Sequence, residues 1–230
     1  MIAKAIEAGF VLVLVVLVPL LSYRTSRQLE ILALPRLQLY FSAALSQWVL
    51  AALGVAVVWF SSLTFSAIGF RTAPMLSMVF WMAVLAGVSI ASLGLVVWFE
   101  QRGWLARESD LVYALIPQTL KEKVWAVLVI SPTAAVCEEF LYRGILLAEL
   151  SIWFHSFILA TAISSVVFGM AHAYQGLSGI VRAALLGALL SIPMIRLGTI
   201  LPSMASHFLI DALALLWLGP RMPGKSAVNI

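Results

Sequence analysis

Long apolar runs separated by short charged stretches set the pattern of this chain. Charge-free stretches cover 8–23 between Glu7 and Arg24, 37–70 between Arg36 and Arg71, and 72–99 between Arg71 and Glu100. After a polar interval from Glu100 to Lys123, further apolar segments run roughly 124–147, 157–173, 177–196 and 200–218. A helix crossing the hydrocarbon core of a bilayer needs about 20 mostly apolar residues. The pattern therefore predicts an all-α, polytopic transmembrane helical bundle of about seven spans. The stretch before Arg71 is long enough for a tilted helix or a re-entrant piece. Pro132, after Ser131, reads either as a kink or as a first-turn residue.

Composition turns this pattern from a preference into a requirement. The 230 residues are 63% hydrophobic and only 10% charged, against about half and about a quarter in a soluble domain. Mean hydropathy is +1.07. So few charges cannot coat a water-facing surface of this size, so the bilayer is the solvent. The net charge of +4 is spread over loops rather than gathered into a patch, which excludes nucleic acid as a partner. Cys137 is the one cysteine and has no internal disulfide partner.

Lys and Arg fall unevenly about the spans. Arg24, Arg27, Arg36, Arg102, Arg107, Lys121, Lys123, Arg182, Arg221 and Lys225 lie on one side, and Lys4, Arg71 and Arg196 on the other. The positive-inside bias then predicts the N-terminus outside and the C-terminus in the cytoplasm. The basic flank of the first span follows its apolar run and no small-residue cleavage site comes after it, so it reads as a retained helix. Residues 1–123 are thus N-terminal transmembrane helices and a cytoplasmic loop, 124–218 a helical core, and 219–230 a cytoplasmic tail. Trp48, Trp59, Trp98 and Trp217 read as interface anchors or lipid-facing packing.

Candidate chemistry lies in the core segment. An ionisable side chain at the centre of a span costs roughly 2.5–3.5 kcal/mol on insertion scales, so such residues usually face a cavity and act there. Span four carries Glu138, Glu139 and Arg143 in AVCEEFLYRGIL, span five ends in FGMAHA with His172, and span seven carries His207 and Asp211 in ASHFLIDAL. Glu139 and Arg143, four apart with the acid first, form a favourable helical ion pair and read as structural. Glu138, turned by about 100° from its neighbour, is left as the candidate for chemistry. His207 and Asp211 share a helix face, where the carboxylate can orient the imidazole. Counting down from an outer turn near Trp153, Glu138 lies about 16 Å deep, His172 about 22 Å, His207 about 10 Å and Asp211 about 16 Å. These side chains can meet.

The run Glu-Glu-x-x-x-Arg at Glu138, Glu139 and Arg143, then Phe-x-x-x-His at Phe168 and His172, then His-x-x-x-Asp at His207 and Asp211, resembles the three ordered motifs of the CAAX protease and bacteriocin-processing (CPBP) family. That family includes the type II CAAX prenyl endopeptidases. The resemblance covers roughly residues 124–218. It implies an intramembrane endopeptidase in which Glu138 activates water with the aid of His172. His207 and position 211 would support the oxyanion or orient the site, with Glu139 and Arg143 as a brace. Asp211 stands where many members have Asn; an ionised Asp cannot donate to an oxyanion, so here it orients His207 or stays protonated. No metal is favoured, zinc held by Glu138, His172 and His207 being the alternative. A chain this short looks like a bacterial member in the cytoplasmic membrane, with leader peptides or membrane proteins as substrates, while the eukaryotic relatives imply prenylated CAAX ends.

Rival readings follow from other residues. Ser178 in Gly-Leu-Ser-Gly resembles a rhomboid serine motif with His207 as base, on spans arranged otherwise than in rhomboids. Cys137 lies among carboxylates that disfavour its thiolate, and Asp110, the other aspartate beside Asp211, lies in a loop. A proton-coupled transporter also uses Glu and His relays, but no inverted repeat is present. A non-catalytic membrane partner or immunity protein would keep the polar cluster as structure. Arg182 reads as a snorkelling residue in preference to a binder of a substrate carboxylate.

Overall fold

The computed structural model describes residues 2–104 and 109–218. Arg107 and the predicted tail 219–230, with Arg221 and Lys225, lie outside the described residues. Eight helices order the described chain: α1 Ile2–Thr25, α2 Arg36–Phe60, α3 Met75–Gln101, α4 Asp110–Leu115, α5 Leu120–Phe154, α6 Phe157–Ala171, α7 Leu177–Leu197 and α8 Leu201–Trp217. No strand occurs among the described residues. Five of the helices, α1, α2, α3, α5 and α7, are long and apolar enough to cross a membrane, while α6 and α8 are shorter apolar helices. The chain is an all-helical integral membrane protein.

The outer surface is that of a protein dissolved in lipid. Leu76, Ile158, Leu177 and Trp59 are all largely exposed, which water would penalise and acyl chains do not. Polar and charged residues are instead turned inward, with Glu139, Arg143, Ser203 and His207 buried.

α5 is the central element. Cys137, Leu141, Ile145, Leu146 and Leu147 along it are fully buried, and it packs against α2, α6 and α8. The helix runs unbroken past Pro132 by widening first: residues Ala126–Ile130 form a π-helical turn, and the Ser131 hydroxyl donates to the Ala126 carbonyl at 2.9 Å. This wider turn makes room for the proline ring and its missing N–H. A second π-helical stretch, Glu139–Leu146, begins immediately after Glu138. Such insertions rotate the residues that follow relative to a regular helix and are frequent at functional sites.

The long charge-free stretch 37–70 divides. α2 ends at Phe60, and residues 61–74 form an irregular segment instead of a tilted continuation. The reason is local polar competition: Ser61 Oγ accepts from Leu63 N at 3.2 Å, Thr64 Oγ1 accepts from Ala67 N at 3.1 Å, and both the backbone N–H and hydroxyl of Ser62 donate to Glu7. Side chains that bond the backbone in this way compete with helix continuation. The segment folds back on the bundle, burying Ile68, and the Gly69 carbonyl accepts from Ile200 N at 3.1 Å.

α6 and α7 form a tight antiparallel pair. A Cβ on Gly169 would lie 2.6 Å from the Ile180 carbonyl oxygen, so only glycine permits this approach, as small residues do at membrane helix interfaces. α7 ends at Gly198 in the left-handed conformation, φ 67°. Arg71 caps it, donating from Nε to the Gly198 carbonyl at 2.8 Å and from Nη2 to that of Leu197 at 3.2 Å.

Gly198→Ala combines the positive φ with a Cβ that would overlap the Arg71 guanidinium. It is expected to destabilise the fold by more than about 1 kcal/mol, read as a lowered melting temperature in detergent. An unchanged melting temperature would contradict the cap.

Candidate active site

Each acidic or imidazole side chain of the site has a positional cause. Glu138 and Glu139 are the hinge between regular and widened helix in α5. His172 closes α6 rather than lying within it, and a short turn at Ala173–Gln175 then leads into α7. His207 and Asp211 lie one turn apart on α8. The turn after His172 is held from below: Tyr174 N donates to Ser22 Oγ at 3.1 Å, and Ser109 donates from its N–H to the Gln175 carbonyl at 3.1 Å and from its hydroxyl to that of Tyr174 at 2.5 Å.

Oε2 of Glu138 stands 3.8 Å from Nε2 of His172 and 3.8 Å from Nε2 of His207. It is buried and has no hydrogen-bond partner in the protein. Its other oxygen, Oε1, accepts from Gln47 Nε2 at 2.9 Å. His172 donates from Nδ1 to the Phe168 carbonyl at 2.8 Å; in the neutral ring this leaves the Nε2 lone pair facing Glu138. A separation of 3.8 Å is too long for a direct hydrogen bond and suits a bridging water.

Glu139 is the brace. Fully buried, its Oε1 meets His207 Nδ1 at 2.8 Å and Arg143 Nη1 at 3.1 Å. The Arg143 guanidinium carbon lies 4.0 Å over the Phe168 ring, and Phe168 meets the His172 ring edge to face at 4.5 Å between centroids. The role of orienting His207, assigned from sequence to Asp211, thus falls geometrically to Glu139. Asp211, one turn along, approaches the other nitrogen, with Oδ2 at 3.6 Å from Nε2, and is 29% exposed.

Glu138, His172, His207 and Asp211 all line one cavity of about 240 Å³. Its walls are mainly apolar, with Ile130, Leu186 and Leu190 among them, and Val112, Leu115 and Ile116 from α4 and its exit close one side. Tyr40 ties that segment to α2, donating to the Leu115 carbonyl at 2.7 Å. Arg182 lines the cavity and donates from Nη2 to Gln175 Oε1 at 2.8 Å, where the sequence suggested snorkelling. Burial pushes the Tyr174 phenol up to about 12, so at neutral pH it is a protonated group at the cavity edge.

Gln47, Tyr174 and Gln175 belong to the site and do not stand out in sequence. Gln47 is uncharged, and sorting the spans by formal charge passes over an amide. Of the rival nucleophiles, Cys137 is buried in the apolar core and Ser178 does not line the cavity. Zinc draws imidazole and carboxylate ligands to about 2.0–2.2 Å. No group of three or more His, Cys, Asp or Glu among the described residues is disposed to hold a metal ion.

Residues 120–213 match the family model of type II CAAX prenyl endopeptidase Rce1-like proteins. The part of the chain that supplies both glutamates, both histidines and Asp211 is thus similar to the CAAX protease family that its motifs resemble. No curated protein and no solved structure matches the chain significantly.

The brace predicts a contrast between its acid and the neighbouring one. Glu139→Ala leaves Arg143 buried without its carboxylate and should cost about 3–5 kcal/mol, lowering the melting temperature steeply. Asp211→Ala, at the cavity wall, should leave it nearly unchanged. Equal effects of the two substitutions would refute the assignment.

Proposed function

We propose that the chain is an intramembrane endopeptidase that hydrolyses peptide bonds with a water activated by Glu138. One observation carries this reading: a buried carboxylate oxygen without a protein partner faces the Nε2 atoms of two histidines, each at 3.8 Å, in a cavity within an apolar bundle. The family of residues 120–213 supports the same activity.

The steps follow from the groups present. A water between Glu138 Oε2 and His172 Nε2 gives its proton to Glu138 as its oxygen attacks the substrate carbonyl. His172, fixed by its bond to the Phe168 carbonyl, aims the water. His207, protonated and held through Nδ1 by Glu139, presents Nε2–H to the oxyanion, where preorganised donors have their largest effect. Asp211 flanks that nitrogen, with Oδ2 at 3.6 Å. The C–N bond then breaks, and the proton taken up by Glu138 passes to the leaving amine. Atoms and charge balance with water as the only co-reactant.

The substrate is a polypeptide presented within or at the membrane. A leader peptide or membrane protein of a bacterial cytoplasmic membrane is one such substrate, and a prenylated C-terminus, which fits the family's name, is another. The Lys and Arg asymmetry supports an outside N-terminus and a cytoplasmic C-terminus.

Purified wild type and Glu138→Gln, reconstituted in lipid nanodiscs, are compared on membrane-inserted peptides. The variant is expected to lose at least about 100-fold in kcat with an unchanged melting temperature. Cleavage by the variant at the wild-type rate would overturn the glutamate mechanism. Transport without cleavage by wild type would instead favour a proton-coupled carrier, and neither activity a non-catalytic partner. Peptidomics of membranes from cells carrying either form identifies the substrate as the product missing only with the variant.

A further inference from the structure

We infer that Gln47 is a positioning residue of the active site: its amide N–H fixes one oxygen of Glu138 so that the other is presented to the attacking water and the two imidazoles. The inference rests on the reading of Glu138 as the base and adds to it a residue from outside the segment 120–213 that matches the protease family.

Tyr40, Ala43 and Gln47 line the cavity from α2 at helical spacing, so they share one face of that helix. Phe41, Leu45 and Val49 are exposed to the surroundings of the bundle. Gln47 is therefore a polar amide on the inward face of a span whose other side is apolar. Its register against α5 is set next door, where Trp48 Nε1 donates to Thr133 Oγ1 at 3.0 Å, more than a turn before Glu138.

The hydrogen bond has only one chemically sensible direction. An ionised carboxylate accepts and cannot donate, so Gln47 must present Nε2 to Oε1 of Glu138, at 2.9 Å. This turns the amide oxygen the other way, where it is buried without a hydrogen-bond partner in the protein. Leaving a buried polar atom unpaired is unfavourable, and a residue kept only to tie two helices gains nothing from it. With Oε1 held, the carboxylate cannot rotate about its terminal torsion, and Oε2 stays directed at His172 and His207. Charged and titratable groups around Glu138 are Cys137, Glu139, Tyr142 and Arg143 from α5, His172 from the end of α6, Tyr174 from the turn after it, Arg182 from α7, His207 and Asp211 from α8, and Tyr40 from α2. Gln47 is the neutral donor added by α2.

Gln47→Met keeps the length and volume of the side chain and removes the donor. In nanodiscs, kcat is expected to fall about 10- to 100-fold, as for loss of a hydrogen bond to a charged group. KM should stay within about twofold, and the acid limb of the kcat/KM profile should move to higher pH by about one unit. A merely structural tie would lower the melting temperature and leave that limb in place. The same samples are titrated by infrared difference spectroscopy, following the carboxyl band that Glu138→Gln abolishes. Its midpoint is expected to move upward in Gln47→Met whatever the chain's activity. An unmoved midpoint overturns the positioning role. A moved midpoint with no cleavage by wild type upholds that role and overturns the protease reading.

Discussion

A single buried carboxylate, that of Glu139, holds the polar interior of this bundle together. In lipid an ionised group without a partner is too costly to keep, so the three groups that share this interaction are forced into one arrangement. Glu139 meets Arg143 on its own helix at 3.1 Å and His207 across the helix interface at 2.8 Å. The first contact places the guanidinium over Phe168, and Phe168 in turn abuts the ring of His172. The second fixes which nitrogen of His207 faces the cavity. Both imidazoles are thus set by one acid that itself has no exposure to the cavity contents.

Glu138 is the complement of that arrangement. One residue earlier, at the point where α5 widens, it is turned out of the brace and into the cavity. Two adjacent glutamates therefore occupy different environments: Glu139 is engaged through Oε1 by Arg143 and His207 away from the cavity, whereas Glu138 lines the cavity and turns Oε2 towards two imidazoles. The N-terminal helices are not a passive collar. α2 supplies Gln47 and the Trp48 bond to Thr133, α3 packs on α8, and α1 with Ser22 supports the turn after His172.

The lipid solvent made much of this legible in sequence. Charge-free windows located the apolar helices, since few charges can be tolerated in a span, and the same rule exposed Glu138, Glu139, Arg143, His172, His207 and Asp211 as exceptions. It also explains what stayed hidden. Ser61, Ser62, Thr64 and Gly69 carry no charge, so the end of α2 at Phe60 left no gap in the window. Gln47 escaped for the same reason. Asp211 was the obvious partner of His207 because both lie on one helix face, whereas the bond to Glu139 crosses from α5 to α8 and depends on the widened turn that no spacing rule reveals. The short length of α6 likewise follows from where the turn at Ala173–Gln175 is anchored, by Ser22 and Ser109, residues distant in the chain.

The central claim is that water, and no side chain, attacks the peptide bond. It is tested most directly by running a single turnover of the reconstituted protein in H₂¹⁸O with hydroxylamine present. Direct attack predicts a product whose new carboxyl group carries one ¹⁸O, with no hydroxamate at any hydroxylamine concentration. A hydroxamate product, the mark of an acyl-enzyme on Ser178 or Cys137, would contradict the account.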